Sequence, residues 1–268
     1  MIKLIATDMD GTLLDENGNL PQDFFHILEK LNEKNIKFVV ASGRSYPTLY
    51  KNFNPKSDYI DYICDNGSYV ILNKKEPVIN KLDKEVIHEV IKTCENIDNV
   101  VVILCGVNGA YHMPCSEKFL KEIDKYYINK NIVDDLFSVN DTIFKIAICD
   151  LNNSAQNSYK ILSPLFGEEN KVVVSGALWL DINGKNVNKG AALKEIQEYY
   201  NITYEETMVF GDFYNDVEML KEAYFSFVME NANEDIKKHG NFIAKSNKEG
   251  GVIQAINDLV IKEEYTEV

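Results

Sequence analysis

The chain has 268 residues, of which 45% are hydrophobic and 26% are charged, and its formal net charge is −14. These proportions are ordinary for a globular protein, so they exclude a largely disordered chain, and the length accommodates one large domain or two modest ones. Because most of so acidic a surface repels polyphosphates and no basic run is visible, we expect no nucleic-acid partner.

The cysteines and the apolar runs predict the compartment. Five cysteines are scattered along the chain without a Cys-x-x-Cys pair, which indicates reduced thiols rather than a disulfide framework or a zinc knuckle. No apolar run approaches the ~20 residues that span a bilayer. Acidic residues from position 8 onward argue against a secretory signal. We therefore expect a cytoplasmic protein that has no membrane partner, and the sequence leaves its oligomeric state open.

The first part of the chain alternates short β-rich runs with helical patterns, which predicts βαβ units and a parallel sheet. Asn17-Gly18 is typical of a tight turn inside a short hairpin. A helix is expected from Pro21 to Asn35, where apolar residues recur at helical spacing. The predicted strands of this part are Ile2–Thr7, Ile36–Ala41, Tyr59–Cys64 and a second hairpin of Tyr69–Leu72 with Pro77–Asn80.

From about Asp83 the pattern changes to paired strands between helices, which indicates an antiparallel α+β unit. The predicted elements of this unit are helices Lys84–Asn96, Glu117–Tyr127 and Gln156–Phe166 and strands Val100–Cys105, Ala110–His112, Ile143–Cys149, Lys171–Ser175 and Leu178–Ile182. After about Asn186 single strands alternate with helices again. The predicted helices are Gly190–Tyr200, Asn215–Glu222 and Val252–Lys262, and the predicted strands are Met208–Phe210 and Phe225–Met229. The simplest organisation is an α/β core interrupted by an inserted α+β domain, and residues 263–268 are expected to be frayed.

The strongest local signal is Asp8-Met9-Asp10-Gly11-Thr12, placed at the carboxyl end of the first predicted strand. Ligands bind at that edge of open α/β sheets, and two aspartates at this spacing can both face one point. A plain turn is one alternative, since Asp and Gly favour turns. A calcium-binding EF-hand loop is excluded, because its sixth position should be Gly and is Leu13 here.

A second acidic cluster, Gly211-Asp212-Phe213-Tyr214-Asn215-Asp216, also follows a predicted strand. A helix N-cap would explain one of its acids but not the whole set. Four carboxylates in one cleft need a cation to stay ionised, and a ligand set made only of oxygens indicates Mg²⁺. Lys189 could supply a second cation at a helix start. Ser42 and Gly43 offer a hydroxyl and backbone N–H groups, which suit a phosphate cradle.

The segments DMDGTLL (8–14), ASGR (41–44), NKGAAL (188–193) and GDFYNDVEML (211–220), in this order, resemble the four motifs of the haloacid dehalogenase superfamily. The insertion between the second and third motifs resembles the large α/β cap, of C2 type, that its Cof-type phosphatases carry. The CDNGSYV segment (64–70) resembles the Asn-Gly turn that precedes the cap in that subgroup. The resemblance covers nearly the whole chain and implies a Mg²⁺-dependent phosphatase.

By this resemblance, Asp8 is the nucleophile and Asp10 the general acid and base. The metal set consists of Asp8, Asp10 (through its backbone carbonyl), Asp212 and Asp216. The phosphate-binding set consists of Thr12, Ser42, Gly43, Lys189 and Asn215. One departure from the family pattern is Phe213, which stands where a small residue usually follows the Gly-Asp pair; it could narrow the entrance to the site.

We therefore predict a doubly wound, Rossmann-like parallel-sheet core of residues 1–82 and 186–268, with an inserted α+β cap domain of residues 83–185. The expected function is Mg²⁺-dependent hydrolysis of a small-molecule phosphomonoester, such as a sugar phosphate, through an aspartyl-phosphate. A phosphomutase and a slowly turning over phosphoacceptor module are the alternatives. Asp10, as proton donor and base, favours turnover over the second of these.

Weaker predictions concern side chains that could contact the leaving group. Arg44 binds a substrate anion or pairs with a surface acid, and the sequence does not decide between the two. Closure of the cap about junctions near 80–83 and 183–188 is expected to help select the substrate. Tyr111, His112 and Trp179 are candidates for that selection if they face the cleft, and otherwise they only pack the cap.

Overall fold

The structure is a computed structural model that describes residues 1–72 and 75–262. Residues 73 and 74 of the second predicted hairpin, and the predicted frayed end at 263–268, lie outside the described residues. The strands are β1 Leu4–Thr7, β2 Lys37–Ala41, β3 Ile60–Cys64, β4 Tyr69–Ile71, β5 Val78–Ile79, β6 Val100–Gly106, β7 Gly109–His112, β8 Lys130–Ile132, β9 Ile143–Asp150, β10 Asn170–Gly176, β11 Trp179–Gly184, β12 Thr207–Gly211, β13 Phe225–Met229 and β14 Phe242–Ala244.

The helices alternate with the strands in the first and last parts of the chain, as expected for βαβ units. They are α1 Phe24–Glu33, α2 Tyr46–Phe53, α3 Lys84–Cys94, α4 Glu117–Tyr126, α5 Ser158–Phe166, α6 Lys189–Tyr200, α7 Val217–Leu220, α8 Glu234–Lys237 and α9 Gly251–Ile256. Among the residues that the structure describes, no helix has both the length and the apolar character needed to cross a bilayer.

The chain divides into two compact units, of which the first comprises Met1–Val78 and Asn188–Val268 and the second Ile79–Val187. The sequence prediction placed these boundaries at 82/83 and 185/186. In the described part of the first unit, eight strands form one sheet in the order β14-β13-β12-β1-β2-β3-β4-β5. The pairs from β14 to β3 are parallel, and β4 is antiparallel to β3.

Both faces of the core sheet are buried, because successive residues of a strand point to opposite sides. On β1, Ile5 joins the apolar cluster that contains α1, α2 and α9, whereas Leu4 and Ala6 join the cluster that contains α6 and α7. The strands are therefore almost continuously apolar, as strands with two covered faces are. This three-layer arrangement confirms the predicted doubly wound α/β core.

The second unit is built on a sheet in the order β10-β11-β9-β6-β7-β8, in which only the β7–β8 pair is parallel. One face of this sheet packs against α3 and α5 through alternate residues such as Ile146, Ile148 and Leu180. The other face carries the intervening residues, among them Lys145, which is paired in register with Asn183 of β11. The unit is the inserted α+β domain that the strand and helix pattern predicted.

Several local predictions need correction or addition. The hairpin predicted around Asn17-Gly18 is wrong, because this segment is a reverse turn without flanking strands. Its turn is held by the Asp15 carboxylate, which accepts the backbone N–H groups of Asn17 and Asn19. The short strands β8 and β14 were not predicted, because three residues are too few to show an alternating pattern.

Candidate active site

The site lies where three neighbouring strands of the core sheet end. Strand β1 has β2 on one side and β12 on the other, and the chain winds outward from β1 in both directions. This is the topological switch point, at which the loops diverge and leave a crevice. Asp8 follows β1 directly, Ser42 follows β2, and Asp212 follows β12.

The loop after β1 turns sharply over residues 9–13, and Gly11 makes this turn possible. Its backbone has a φ of +82°, a conformation that side chains rarely adopt. A Cβ atom at this position would also lie 2.3 Å from Asp212 Oδ2. Gly11 therefore allows the loop to approach Asp212, and Thr12 then donates its hydroxyl to Asp212 Oδ1 at 2.9 Å.

A buried ion pair connects the two acidic motifs. Lys189 begins α6, is fully buried, and donates from Nζ to Asp8 Oδ1 at 2.5 Å and to Asp216 Oδ1 at 2.7 Å. The second carboxylate oxygen of Asp8 receives no hydrogen bond from any described residue. Lys189 therefore fixes the Asp8 carboxylate by one oxygen and leaves the other available for chemistry.

Burial sets the pKa values of these groups. Desolvation raises the pKa of Asp8 to about 7, although Lys189 opposes the shift, and Asp216 adds to it. Desolvation also raises the pKa of Asp212 to about 6, against the hydrogen bond from Thr12. Burial by itself lowers the pKa of Lys189, but Asp216 and Asp8 outweigh it and raise that pKa above its ordinary value. The site thus holds more negative charge than one lysine balances.

Asp216 organises the second acidic loop. Its Oδ2 accepts the backbone N–H groups of Asp212 and Phe213, both at 3.1 Å, while its Oδ1 accepts Lys189. Oxygen atoms of Asp8, Asp212 and Asp216 all lie within 4.8 Å of one another, which is close enough to hold one metal ion. The side chain of Asp10, the other predicted member of the metal set, is not part of this cluster.

The Asp10 side chain is instead paired with Arg44. The Arg44 guanidinium donates to both carboxylate oxygens of Asp10, at 2.6 and 2.9 Å, and 59% of the Asp10 side chain is exposed. Of the two alternatives for Arg44, the structure shows pairing with an acid, and that acid is the predicted proton donor. Both Asp10 oxygens accept from Arg44, so Asp10 would have to release at least one of them in order to carry and give a proton.

The remaining predicted phosphate-binding residues lie on the loops around the ion pair. Ser42 is buried, and its Oγ accepts the backbone N–H of Arg44 at 3.1 Å. Asn215 donates from Nδ2 to Asn66 Oδ1 at 3.0 Å. Gly43 lies against the Asn66 carboxamide, where an added Cβ would be 3.2 Å from Nδ2. The Thr12 hydroxyl donates to Asp212 in the structure, so the role of Thr12 in phosphate binding stays a prediction.

Some residues of the site were not assigned from the sequence. Asn66 contacts two of the predicted loops, as described above. Asn231 donates from Nδ2 to the Gly11 carbonyl, and Asn247 donates from Nδ2 to the Leu14 carbonyl. Both asparagines fasten the turn that follows Asp8. They lie in the segments MENANEDIK (229–237) and NKEGGVIQAI (247–256), which resemble C-terminal stretches of the same family, and this resemblance was the available signal.

The candidates for substrate selection lie in different environments. Phe213 is 54% exposed and packs edge to face against Tyr214. In the inserted unit His112 is fully buried, and its Nδ1 pairs with the carbonyl of Met113. Trp179 is buried, and its ring contacts two tyrosine rings, those of Tyr126 and Tyr127.

Tyr111 belongs to the helix-covered side of the inserted sheet, where its hydroxyl donates to Asp141. These placements favour the packing alternative for Tyr111, His112 and Trp179. On the opposite face, strand register puts Lys145 and Asp181 on the same side as Trp179. These two charged residues were not predicted from the sequence.

Known proteins resemble this chain over most of its length. The family model of haloacid dehalogenase-like hydrolases matches residues 5–256, which is most of the chain. The chain therefore belongs to this family, as its four motifs predicted. It is a phosphatase, a phosphomonoester hydrolase of the haloacid dehalogenase superfamily.

Its relatives carry phosphatase names. The chain is 32% identical to the 5-amino-6-(5-phospho-D-ribitylamino)uracil phosphatase YbjI of Escherichia coli (strain K12), over 98% of this chain and 97% of that one. It is 24% identical to the phosphatase YcsE of Bacillus subtilis (strain 168), which bears the same activity name, over 97% and 96% of the two chains. The solved structure of SMU.1108c from Streptococcus mutans UA159 superposes with a TM-score of 0.85 at 31% identity, over 98% and 100% of the two chains.

Proposed function

We propose that this protein is a Mg²⁺-dependent phosphatase that hydrolyses phosphomonoesters of small metabolites through a phosphorylated Asp8. The observation that carries the proposal is the Asp8 carboxylate, held through one oxygen by Lys189 beside two further acids. A carboxylate that is buried, oriented and left with one available oxygen has the properties of a nucleophile.

The acidic cluster suits a magnesium ion. Mg²⁺ prefers oxygen ligands and is usually held in proteins by one or two carboxylates. Asp8 and Asp212 would hold it, together with the Asp10 carbonyl, while Asp216 keeps the loop in place. The raised pKa values of Asp8 and Asp212 express an excess of buried negative charge, which a divalent cation would relieve. When bound, the ion supplies positive charge that neutralises the phosphate dianion.

The proposed reaction then proceeds in two steps. In the first, Asp8 forms a bond to phosphorus while the bond from phosphorus to the ester oxygen breaks, and protonated Asp10 gives its proton to the leaving alkoxide. In the second, Asp10 removes a proton from water, and the water oxygen displaces Asp8. Lys189 remains charged throughout and stabilises the phosphoryl oxygens. General acid and base catalysis of this kind contributes about 10²–10⁴-fold.

The proposed substrate is the phosphate ester of a sugar or a sugar alcohol. The sequence predicts a sugar phosphate or a similar metabolite. The relative of 32% identity is named for a 5-phospho-D-ribityl compound, in which the phosphate is an ester of a sugar alcohol. We therefore place 5-amino-6-(5-phospho-D-ribitylamino)uracil first among the substrates to test, beside simple sugar phosphates.

The inserted unit is proposed to contribute to the choice of ester, because the phosphate and metal residues cannot distinguish leaving groups. Its polar candidates are Lys145 and Asp181, on the sheet face opposite α3 and α5. We also keep the cytoplasm as the proposed location. None of the five cysteines, all within the described residues, forms a disulfide, which is compatible with that compartment.

The test is a phosphate-release assay with Mg²⁺ on a panel of aryl phosphate, sugar phosphates, sugar-alcohol phosphates and nucleotides. We expect release from the aryl ester and one preferred class of metabolite, and no activity in Asp8→Asn. Transfer of the phosphoryl group to a second sugar, without release, would identify a phosphomutase. Phosphorylation without turnover would identify a phosphoacceptor module. Either result would contradict the proposal.

A further inference from the structure

The turn Asp65-Asn66-Gly67, which follows β3, has an unusual backbone. All three residues have positive φ angles, of +48°, +57° and +103° respectively. Two consecutive non-glycine residues in this conformation cost free energy, and such strain persists where the surroundings hold it. Asp, Asn and Gly are the residues that tolerate it best. The contacts of the turn with its surroundings must therefore hold it in this conformation.

The backbone of this turn holds the loop after β2. The Asn66 N–H donates to the Ser42 carbonyl at 3.0 Å, and the Asp65 N–H donates to the Arg44 carbonyl at 3.1 Å. These two bonds bracket Gly43, so the segment 42–44 cannot shift independently of the turn. This segment carries the hydroxyl and the backbone N–H groups proposed to receive phosphate.

The same turn packs against the beginning of α6. A Cβ atom on Gly67 would lie 2.5 Å from the carbonyl oxygen of Asn188, so only glycine permits this approach. Asn188 is the N-cap of α6, where its side chain accepts the Ala191 N–H at 2.8 Å, and Lys189 is the next residue. The turn thus meets the helix end that carries the buried lysine.

The Asn66 side chain reaches a third segment. Its Oδ1 accepts Asn215 Nδ2 at 3.0 Å, and its carboxamide lies over Gly43. Asn215 immediately precedes Asp216, which pairs with Lys189. One carboxamide therefore lies between the segment after β2 and the acidic loop after β12, which approach each other only through tertiary structure.

We infer that Asn66 is a positioning residue, which holds the phosphate-binding segment 42–44 in register with the acidic loop through Asn215. The inference rests on the proposed phosphatase function. A small displacement of groups that bind a reacting phosphate can lower the rate up to about 100-fold. Removal of the Asn66 carboxamide should therefore impair catalysis even when the backbone of the turn is unchanged.

The test replaces Asn66 by glycine, which adopts the positive φ angle readily and lacks the side chain. The matched control is Asn201→Gly, since Asn201 ends α6 with a similar φ of +54°. We expect Asn66→Gly to melt at about the same temperature as the control and to lose at least about tenfold in kcat/KM for an aryl phosphate. The control should stay within about twofold of the parent protein. Activity of Asn66→Gly within that same range overturns the inference.

A double-mutant cycle separates positioning from a general loss of stability. If Asn66 acts through Asn215, then Asn66→Gly should lower kcat/KM for the aryl phosphate by less than about twofold in the Asn215→Ala background. An equal loss of kcat/KM in both backgrounds overturns the inference. This holds even if Asn66→Gly is less stable than Asn201→Gly.

A binding measurement distinguishes this inference from the proposed function. If the parent protein releases no phosphate from any ester, the proposed function fails. The thermal shift caused by inorganic phosphate with Mg²⁺ then tests Asn66 alone. We expect that shift to be lost in Asn66→Gly and kept in Asn201→Gly. An unchanged shift in Asn66→Gly contradicts the inference.

Discussion

Replacing Asp8 by asparagine should abolish activity and at the same time stabilise the metal-free protein. The amide cannot form an acyl phosphate, but it removes a carboxylate whose ionisation opposes folding. Burial raises the pKa of Asp8 from its ordinary 3.8 to about 7 in the folded protein. At 1.36 kcal/mol for each pH unit, this difference corresponds to a destabilisation of up to roughly 4 kcal/mol once Asp8 is ionised in both states.

The pH dependence follows from the sign of the shift. Below pH 3.8 the Asp8 carboxyl group is protonated in both the folded and the unfolded protein and does not lower the free energy of unfolding. Between 3.8 and about 7 the folded protein retains a proton that the unfolded chain has lost, so the stability of the parent protein falls as the pH rises. Above about 7 the full cost is present. The advantage of Asp8→Asn should therefore be small near pH 4 and largest above pH 7.

Urea unfolding in the presence of a chelator, at about pH 4 and about pH 8.5, measures this difference. Asp134→Asn, which changes an exposed acid, is the matched control and should show little effect at either pH. Added Mg²⁺ should reduce the advantage of Asp8→Asn, because the ion stabilises the ionised carboxylate. Equal or lower stability of Asp8→Asn at the higher pH would refute the reasoning.

Four further predictions concern metal, proton transfer and packing. Chelation should remove activity, and added Mg²⁺ should restore it. Ca²⁺ should restore activity poorly, because Ca²⁺ prefers looser coordination than Mg²⁺. Full activity after exhaustive chelation would contradict the metal site. Asp10→Asn should give a burst of aryl alcohol followed by slow phosphate release, and equal losses on alkyl and aryl esters without a burst would count against the acid and base role. Thr12→Val removes the hydrogen bond to Asp212, so activity should require about 10–100-fold more Mg²⁺, and an unchanged Mg²⁺ titration would argue against it. Trp179→Ala should lower the free energy of unfolding by about 3–5 kcal/mol and leave the relative rates of different esters unchanged, whereas altered preference would point to substrate contact.

The clustering of Asp8 and Asp212 could be predicted from the sequence because both residues directly follow strand ends. Asp8 and Asp212 each come one residue after an apolar strand, and parallel strands deliver their carboxyl ends to one edge of a sheet. The lysine at the start of α6 was predicted by its place in the family motif. Its contacts with two carboxylates at once became visible only in the structure.

Other features depend on tertiary contacts that no local pattern encodes. The role of Asn66 arises where three segments distant in sequence approach one another, although its Asp-Asn-Gly context signalled a turn. The pairing of Asp10 with Arg44 joins residues 34 positions apart. The strand β8 was missed because its few residues, Lys130–Ile132, are mostly exposed and show no apolar alternation.

The most direct test of the central claim is to trap the phosphorylated enzyme. Asp10→Asn, mixed with an aryl phosphate and Mg²⁺, should accumulate the intermediate because the base for its hydrolysis is missing. Acid quenching, digestion and mass spectrometry should then find one added phosphoryl group on the peptide that contains Asp8, and none in the Asp8→Asn/Asp10→Asn double variant. A burst of aryl alcohol without phosphorylation of that peptide, or with the phosphoryl group on another residue, would contradict Asp8 as the nucleophile.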